Sequence, residues 1–223
     1  MAVLFDIDGT LVDSNYLHVD AFDRAFVLSG HPVDQWRIHR SIGMDSASLL
    51  DSLAGDAAAD IGEAVKDAHS RLYLAMAERL RPFAGAVELL TELASRGHTV
   101  VLATSSPEDE LEVLLKVLDA GDAIAATTSA GDVENAKPDP DIIHAALDAV
   151  SMPAERAVMV GDSVWDVKAA ARAGVPCIAV LSGGSGRDEL VEAGAVEVYD
   201  DVADLLAHLD ESLIVRPGEP AVG

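Results

Sequence analysis

Short runs of Val, Ile, Leu and Ala alternate along this 223-residue chain with longer stretches in which apolar residues recur at helical spacing. The short runs predict β-strands over 3–7, 98–104, 123–128, 156–161, 175–181 and 196–199. The longer pattern predicts helices over 84–96, 108–118, 140–150, 164–173, 187–193 and 202–209, with Gly97 as a stop after the first. Strand and helix in alternation imply a mostly parallel sheet covered on both faces. Ligands of such sheets bind at the carboxyl ends of the strands, near the switch in strand order.

Residues 14–81 break the alternation. They read as helices over 15–28, 33–40, 45–53 and 57–80, with no strand among them. Arg81-Pro82-Phe83 reads as the return hinge, because proline disfavours helix in the residue before it. The fold expected is therefore α/β, a Rossmann-like parallel sheet core interrupted by an all-helical domain. The core takes residues 1–13 and 82–215, the inserted domain 14–81, and 216–223, with two Pro and two Gly, a loose tail. There is no internal repeat.

Composition narrows the partners. Half the residues are hydrophobic but only 4% are aromatic, so the core must rest on Ala, Val, Leu and Ile. A net charge of −24 argues against an electrostatic grip on nucleic acid or on an anionic membrane. Cys177, the single cysteine, sits in an apolar run and reads as a small buried hydrophobe. Asp6 and Asp8 spoil any signal-peptide core, and no apolar stretch approaches spanning length, so a reducing cytoplasm is expected.

Candidate chemistry clusters at the predicted strand ends. The first strand runs into Asp6-Ile7-Asp8-Gly9-Thr10. Alternation along a strand would point both acids the same way, roughly 7 Å apart. Two carboxylates held together repel unless a metal or a proton neutralises one. The plain alternative is a solvated N-terminal turn. After the second strand, Thr104-Ser105-Ser106 offers a hydroxyl and free N–H groups at a helix start, an anion site. Ser106 itself reads better as an ordinary N-cap before Glu108. Lys137 stands between Ala136 and Pro138 in a loop stiffened by two prolines, which favours a placed charge. The strand over 156–161 ends in Gly161-Asp162-Ser163, with Asp166 one turn on. Asp166 alone could be a first-turn acid favoured by the helix dipole, whereas Asp162 is harder to dismiss, and Trp165 reads as packing.

Asp6-Ile7-Asp8-Gly9-Thr10, Thr104, Lys137 and Gly161-Asp162-Ser163 with Asp166 resemble the four motifs of the haloacid dehalogenase superfamily, in that family's order. The likeness spans nearly the whole chain, and the insert resembles the superfamily's helical cap of the first type. With Asp13-Ser14 after the first motif, the chain is most similar to the branch of phosphoglycolate phosphatases and β-phosphoglucomutases. The resemblance implies a Mg2+-dependent phosphomonoesterase acting on a small phosphorylated metabolite through an aspartyl-phosphate. It implies Asp6 as nucleophile and Asp8 as acid and base. It assigns the metal to the Asp6 carboxylate, the Asp8 carbonyl and Asp162, with Asp166 behind them, and the phosphoryl oxygens to Thr104, Ser105 and Lys137. A monomer or homodimer is expected.

Rival functions part from the chain at single positions. A true dehalogenase of the superfamily lacks an acid where Asp8 stands. A phosphonatase needs a cap lysine for a Schiff base, and Lys66, the insert's only lysine, lies mid-helix in an acidic setting. A receiver domain is about half this length and has no cap. The histidines show no ligand spacing, which argues against zinc. The alternative kept is a sugar phosphomutase, which carries an arginine in the cap loop. Here Ser46 falls at that position, though Arg40 or His18 could substitute. Arg40, His18, Gly43 and Met44 are the candidate substrate-selecting residues of the cap.

Overall fold

In the computed structural model, which describes residues 1–44, 46–133 and 137–216, six strands form one parallel sheet. They are β1 (Ala2–Phe5), β2 (Thr99–Ala103), β3 (Ala126–Thr128), β4 (Ala157–Gly161), β5 (Cys177–Val180) and β6 (Glu197–Tyr199). Their order is β3-β2-β1-β4-β5-β6, so the winding direction reverses between β1 and β4. Phe5 lies level with Leu102 on one side and Val160 on the other. That register brings the residues just beyond these strands to one edge of the sheet.

Four helices follow β1: α1 (Asn15–Leu28), α2 (Gln35–Ser41), α3 (Ser46–Ala54) and α4 (Ala58–Leu74). Six more alternate with the remaining strands: α5 (Ala86–Ser95), α6 (Glu108–Leu118), α7 (Asp141–Ala149), α8 (Val164–Arg172), α9 (Arg187–Ala193) and α10 (Val202–Ala207). Strand alternation sorts the core into two layers. Val3, Phe5, Val100 and Leu102 pack with α5, α6 and α10, while Ala2, Leu4, Val101 and Ala103 pack with α7, α8 and α9. Cys177 is buried in the second layer with a free thiol. A third apolar cluster belongs to α1–α4, built on Phe22, Phe26, Ile38, Leu49 and Val65. The feet of α1 and α4 do not join it: Leu17, Ala21 and Tyr73, with Met76 just beyond α4, pack into the first sheet layer and root the insert on the core.

Three local expectations need correction. The helix expected over 57–80 ends at Leu74 and gives way to a 3-10 turn, Ala77–Arg79, with Leu80 extended. The chain has to straighten there because residues 81–83 run beside 11–13. Asp13 N–H donates to the Arg81 carbonyl (3.0 Å), and Phe83 N–H to that of Leu11 (2.9 Å). The strand expected from residue 123 starts at Ala126, because Gly121–Ala123 form another 3-10 turn. The first strand stops at Phe5, so strand alternation does not align Asp8 with Asp6. Instead the Ile7 carbonyl accepts from the N–H groups of Leu11 (2.9 Å) and Val12 (3.0 Å), and this turn swings Asp8 back over the sheet edge. Gly9 permits it at φ +77°. Asp45, where a cap helix was expected to begin, and nearly all of the expected tail lie outside the described residues.

Candidate active site

Asp6 follows β1, and its N–H extends the sheet by donating to Val160 O (3.0 Å). Its buried carboxylate accepts from Lys137 Nζ at 2.5 Å. The same ammonium lies 2.7 Å from Asp166 Oδ1 and is itself only 1% exposed. Arg172 ties the lysine's loop to α8 by donating to Pro138 O (2.9 Å) and Asp139 (2.8 Å). Burial would lower the Lys137 pKa, but Asp166 and Asp6 raise it far above its ordinary value, so it stays an ammonium.

Asp162 is set by partners from three segments. Thr10 Oγ1 donates to its Oδ1 and Asn15 Nδ2 to its Oδ2, each at 3.0 Å. A Cβ at Gly183 would fall 1.6 Å from Asp162 Oδ2, so only glycine leaves the carboxylate its place. Asp166 closes a capping box on α8, its Oδ2 accepting from Ser163 N–H (3.1 Å) and Oγ (2.6 Å). Helix cap and ion pair are thus one arrangement, and it uses both Asp166 oxygens.

Carboxylate oxygens of Asp6, Asp162 and Asp166 lie within 4.8 Å of one another. Three buried acids share one ammonium. Burial first, then neighbouring carboxylates, holds Asp6 well above the usual range and pushes Asp162 up to about 7. An all-oxygen, over-negative cluster of this kind fits a hard divalent cation.

Asp8 lies in a different setting, although it lines the same cavity as Asp6. Its Oδ1 accepts from Ser14 Oγ (2.6 Å) and contacts His18 Nε2 (3.2 Å), while its Oδ2 accepts from Ser106 Oγ (2.6 Å). Burial would raise its pKa, but the bond and charge of His18 with the two hydroxyls outweigh burial and bring it down to about 2. With its carboxylate so engaged, any part Asp8 takes in metal binding falls to its main-chain carbonyl. Ser106 does not cap α6, where Pro107 holds the N-cap position; it joins Thr104 (3.1 Å) to Asp8 instead. Thr104 and Ser105 line the cavity, and Ser105 Oγ is buried without a hydrogen-bond partner among the described residues.

The helices of the insert lie over this edge. Of the four residues proposed from sequence to select substrate, His18, Gly43 and Met44 line the cavity, joined by Phe22, Ser46, Leu49, His69 and Glu110. Gly43 (φ +95°) presses on the core so closely that a Cβ would meet Ser163 Oγ at 2.8 Å. Arg40 is not brought to the cavity. More than half exposed, it pairs with Glu189 (2.6 Å) on another groove. His18 Nδ1 meets His69 Nε2 at 3.0 Å, and His69 Nδ1 lies 3.7 Å from Glu110 Oε1. Burial would depress His18, but Asp8 raises it; burial, then the charge of His18, drives His69 well below 6.5. This fits a protonated His18 donating to both Asp8 and His69. Sequence reasoning missed Ser106, His69, Glu110 and Asn15, which carry no motif of their own.

A model of the haloacid dehalogenase-like hydrolases matches residues 3–180. The chain is 35% identical over 216 residues to a phosphoglycolate phosphatase of Rhodospirillum rubrum, covering 92% of this chain and 88% of the relative. It is 30% identical to a phosphorylated carbohydrates phosphatase of Thermotoga maritima, covering 87% of this chain and 92% of the relative. Among solved structures it superposes on a hydrolase from Pseudomonas syringae with a TM-score of 0.90 at 36% identity, over 95% of this chain and 98% of that one. With the matched region running from β1 to the end of β5, the chain belongs to the haloacid dehalogenase-like hydrolase family.

Proposed function

We propose that the protein is a Mg2+-dependent phosphomonoesterase that works through an aspartyl-phosphate on Asp6. The observation that carries this is the buried Asp6–Lys137–Asp162–Asp166 cluster opening, through Asp6, onto a cavity that Asp8 and Thr104 also line. An Asp6 oxygen attacks phosphorus as the ester oxygen departs, and water then attacks the same phosphorus to release phosphate and restore the carboxylate. Thr104, Ser105 and Lys137 hold phosphoryl oxygens and offset their charge. Ionised in this arrangement, Asp8 is ready to take the proton of the attacking water. Its protonated form, needed by the leaving oxygen, gains as the substrate's negative charge approaches and raises its pKa. Asp6, the Asp8 carbonyl and Asp162, with Asp166 behind them, would hold Mg2+, which would supply positive charge to the phosphoryl group. Residues 14–81 act as a cap that opens at the paired segments 11–13 and 81–83 to admit substrate.

A sugar phosphomutase is the second possibility, favoured by the His18–Asp8 contact. Against it, Ser46 stands in the cavity and Arg40 is turned away, so no arginine waits there for a second phosphate. Stoichiometric phosphate release from an alkyl phosphate, abolished by EDTA, is the expected result. Isomerised sugar phosphate without net phosphate release would overturn the assignment.

Metal binding should also appear in stability. The fold favours neutral Asp162, so that group's contribution is present below its ordinary 3.8 and lost as pH rises through about 7. Without metal, Tm is expected to fall from about pH 5 to about pH 8, and millimolar Mg2+ to reverse the fall at the upper end. A Mg2+ effect on Tm that is no larger at the upper pH would contradict the carboxylate site.

A further inference from the structure

The cavity's charge is lopsided. Among the described residues no Lys or Arg lines it, and the undescribed residues contain neither. Lys137 lies at the phosphoryl end, paired with Asp6 and Asp166, and Arg40 is paired with Glu189. Facing the cavity instead is Glu110, from the first turn of α6, a carboxyl only 2% exposed. Among the described residues its Oε1 has no hydrogen-bond partner, His69 Nδ1 standing off at 3.7 Å. A buried acceptor left open toward a cavity is costly unless a ligand completes it. Beside it, Phe22, Met44 and Leu49 offer apolar surface.

Resting on the phosphatase assignment above, we propose that Glu110, backed by His69, is the specificity-determining residue for the leaving group. Oε1 accepts a hydrogen bond from a hydroxyl of the substrate, whose carbon skeleton lies along the apolar side. A second anionic group, carboxylate or phosphate, meets the Glu110 oxygen with no Lys or Arg to offset it, and the protonated His18 is already paired with Asp8. The substrate class is thus the monophosphate of a neutral polyol or sugar, in preference to phosphorylated hydroxy acids or bisphosphates. Burial, chiefly, pushes Glu110 up to about 7, so the discrimination against a second anion belongs to the ionised carboxylate and is read at about pH 8.5.

The test compares kcat/KM for p-nitrophenyl phosphate, glycerol 3-phosphate and phosphoglycolate in wild type and Glu110→Gln. Wild type is expected to favour glycerol 3-phosphate over phosphoglycolate by about tenfold or more. Glu110→Gln is expected to narrow that ratio by about tenfold, mainly through a lower KM for phosphoglycolate. Wild-type preference for phosphoglycolate would overturn the proposal whether or not the variant folds, as would a ratio unmoved in a folded variant. Absence of wild-type aryl phosphate hydrolysis would instead overturn the phosphatase assignment beneath it.

Discussion

Asp6→Asn is expected to lower phosphate release from p-nitrophenyl phosphate by roughly four orders of magnitude or more, with Mg2+ saturating. An amide neither attacks phosphorus competently nor carries the negative charge that holds a divalent cation. The fold should survive the change. Asp6 is one of three buried acids sharing Lys137, and its carboxylate is held well above its ordinary pKa by burial and by Asp166, Asp162 and Asp8, against the pull of Lys137. Replacing it with a neutral isostere relieves repulsion while Lys137 keeps Asp166. The variant's Tm without metal should therefore equal or exceed wild type at about pH 8, and the rise on adding Mg2+ should shrink. Lost activity with a raised metal-free Tm separates chemistry from unfolding. Turnover near wild type in the purified variant would remove Asp6 as nucleophile.

Asp8→Ala should fail in a way that depends on the leaving group. With an alkyl phosphate, the loss is expected at about 10²–10⁴-fold, the usual contribution of a positioned acid and base. A p-nitrophenolate leaves without a proton, so the first step should survive better. Water attack still lacks its base, so rapid mixing should reveal a burst of p-nitrophenol followed by slow turnover. The site is built for this separation. Asp8 is held by Ser14, Ser106 and His18, and Asp6 by Lys137, with no partner in common. Equal losses on both substrates with no burst would mean that Asp8 chiefly organises the site.

Much of this molecule was legible in the chain because its signals are local. Strand alternation and helical spacing depend on neighbours a few residues apart, so the six strands and the bounds of α1, α6 and α9 are close to the expected ones. The candidate acids Asp6, Asp8 and Asp162 were legible too, since each follows an apolar strand, and a parallel sheet delivers strand ends to one edge. What tertiary structure decided is everything that meets across long separations. Ser106 looked like a helix cap because its local context is a helix start; only a partner 98 residues away makes it a support for Asp8. His69 and Glu110 are unremarkable on their own helices and face each other only because α4 leans over α6. Arg40 seemed suited to the cavity by its position in the chain, yet Glu189 from α9 draws it aside. Sequence determined which chemistry this protein carries, because reactive groups and strand ends are read locally. Which side chains of the helical insert meet the cavity, and so the leaving group proposed for it, was decided by packing, because hydrogen-bond partners and charge balance are properties of side chains brought together in space.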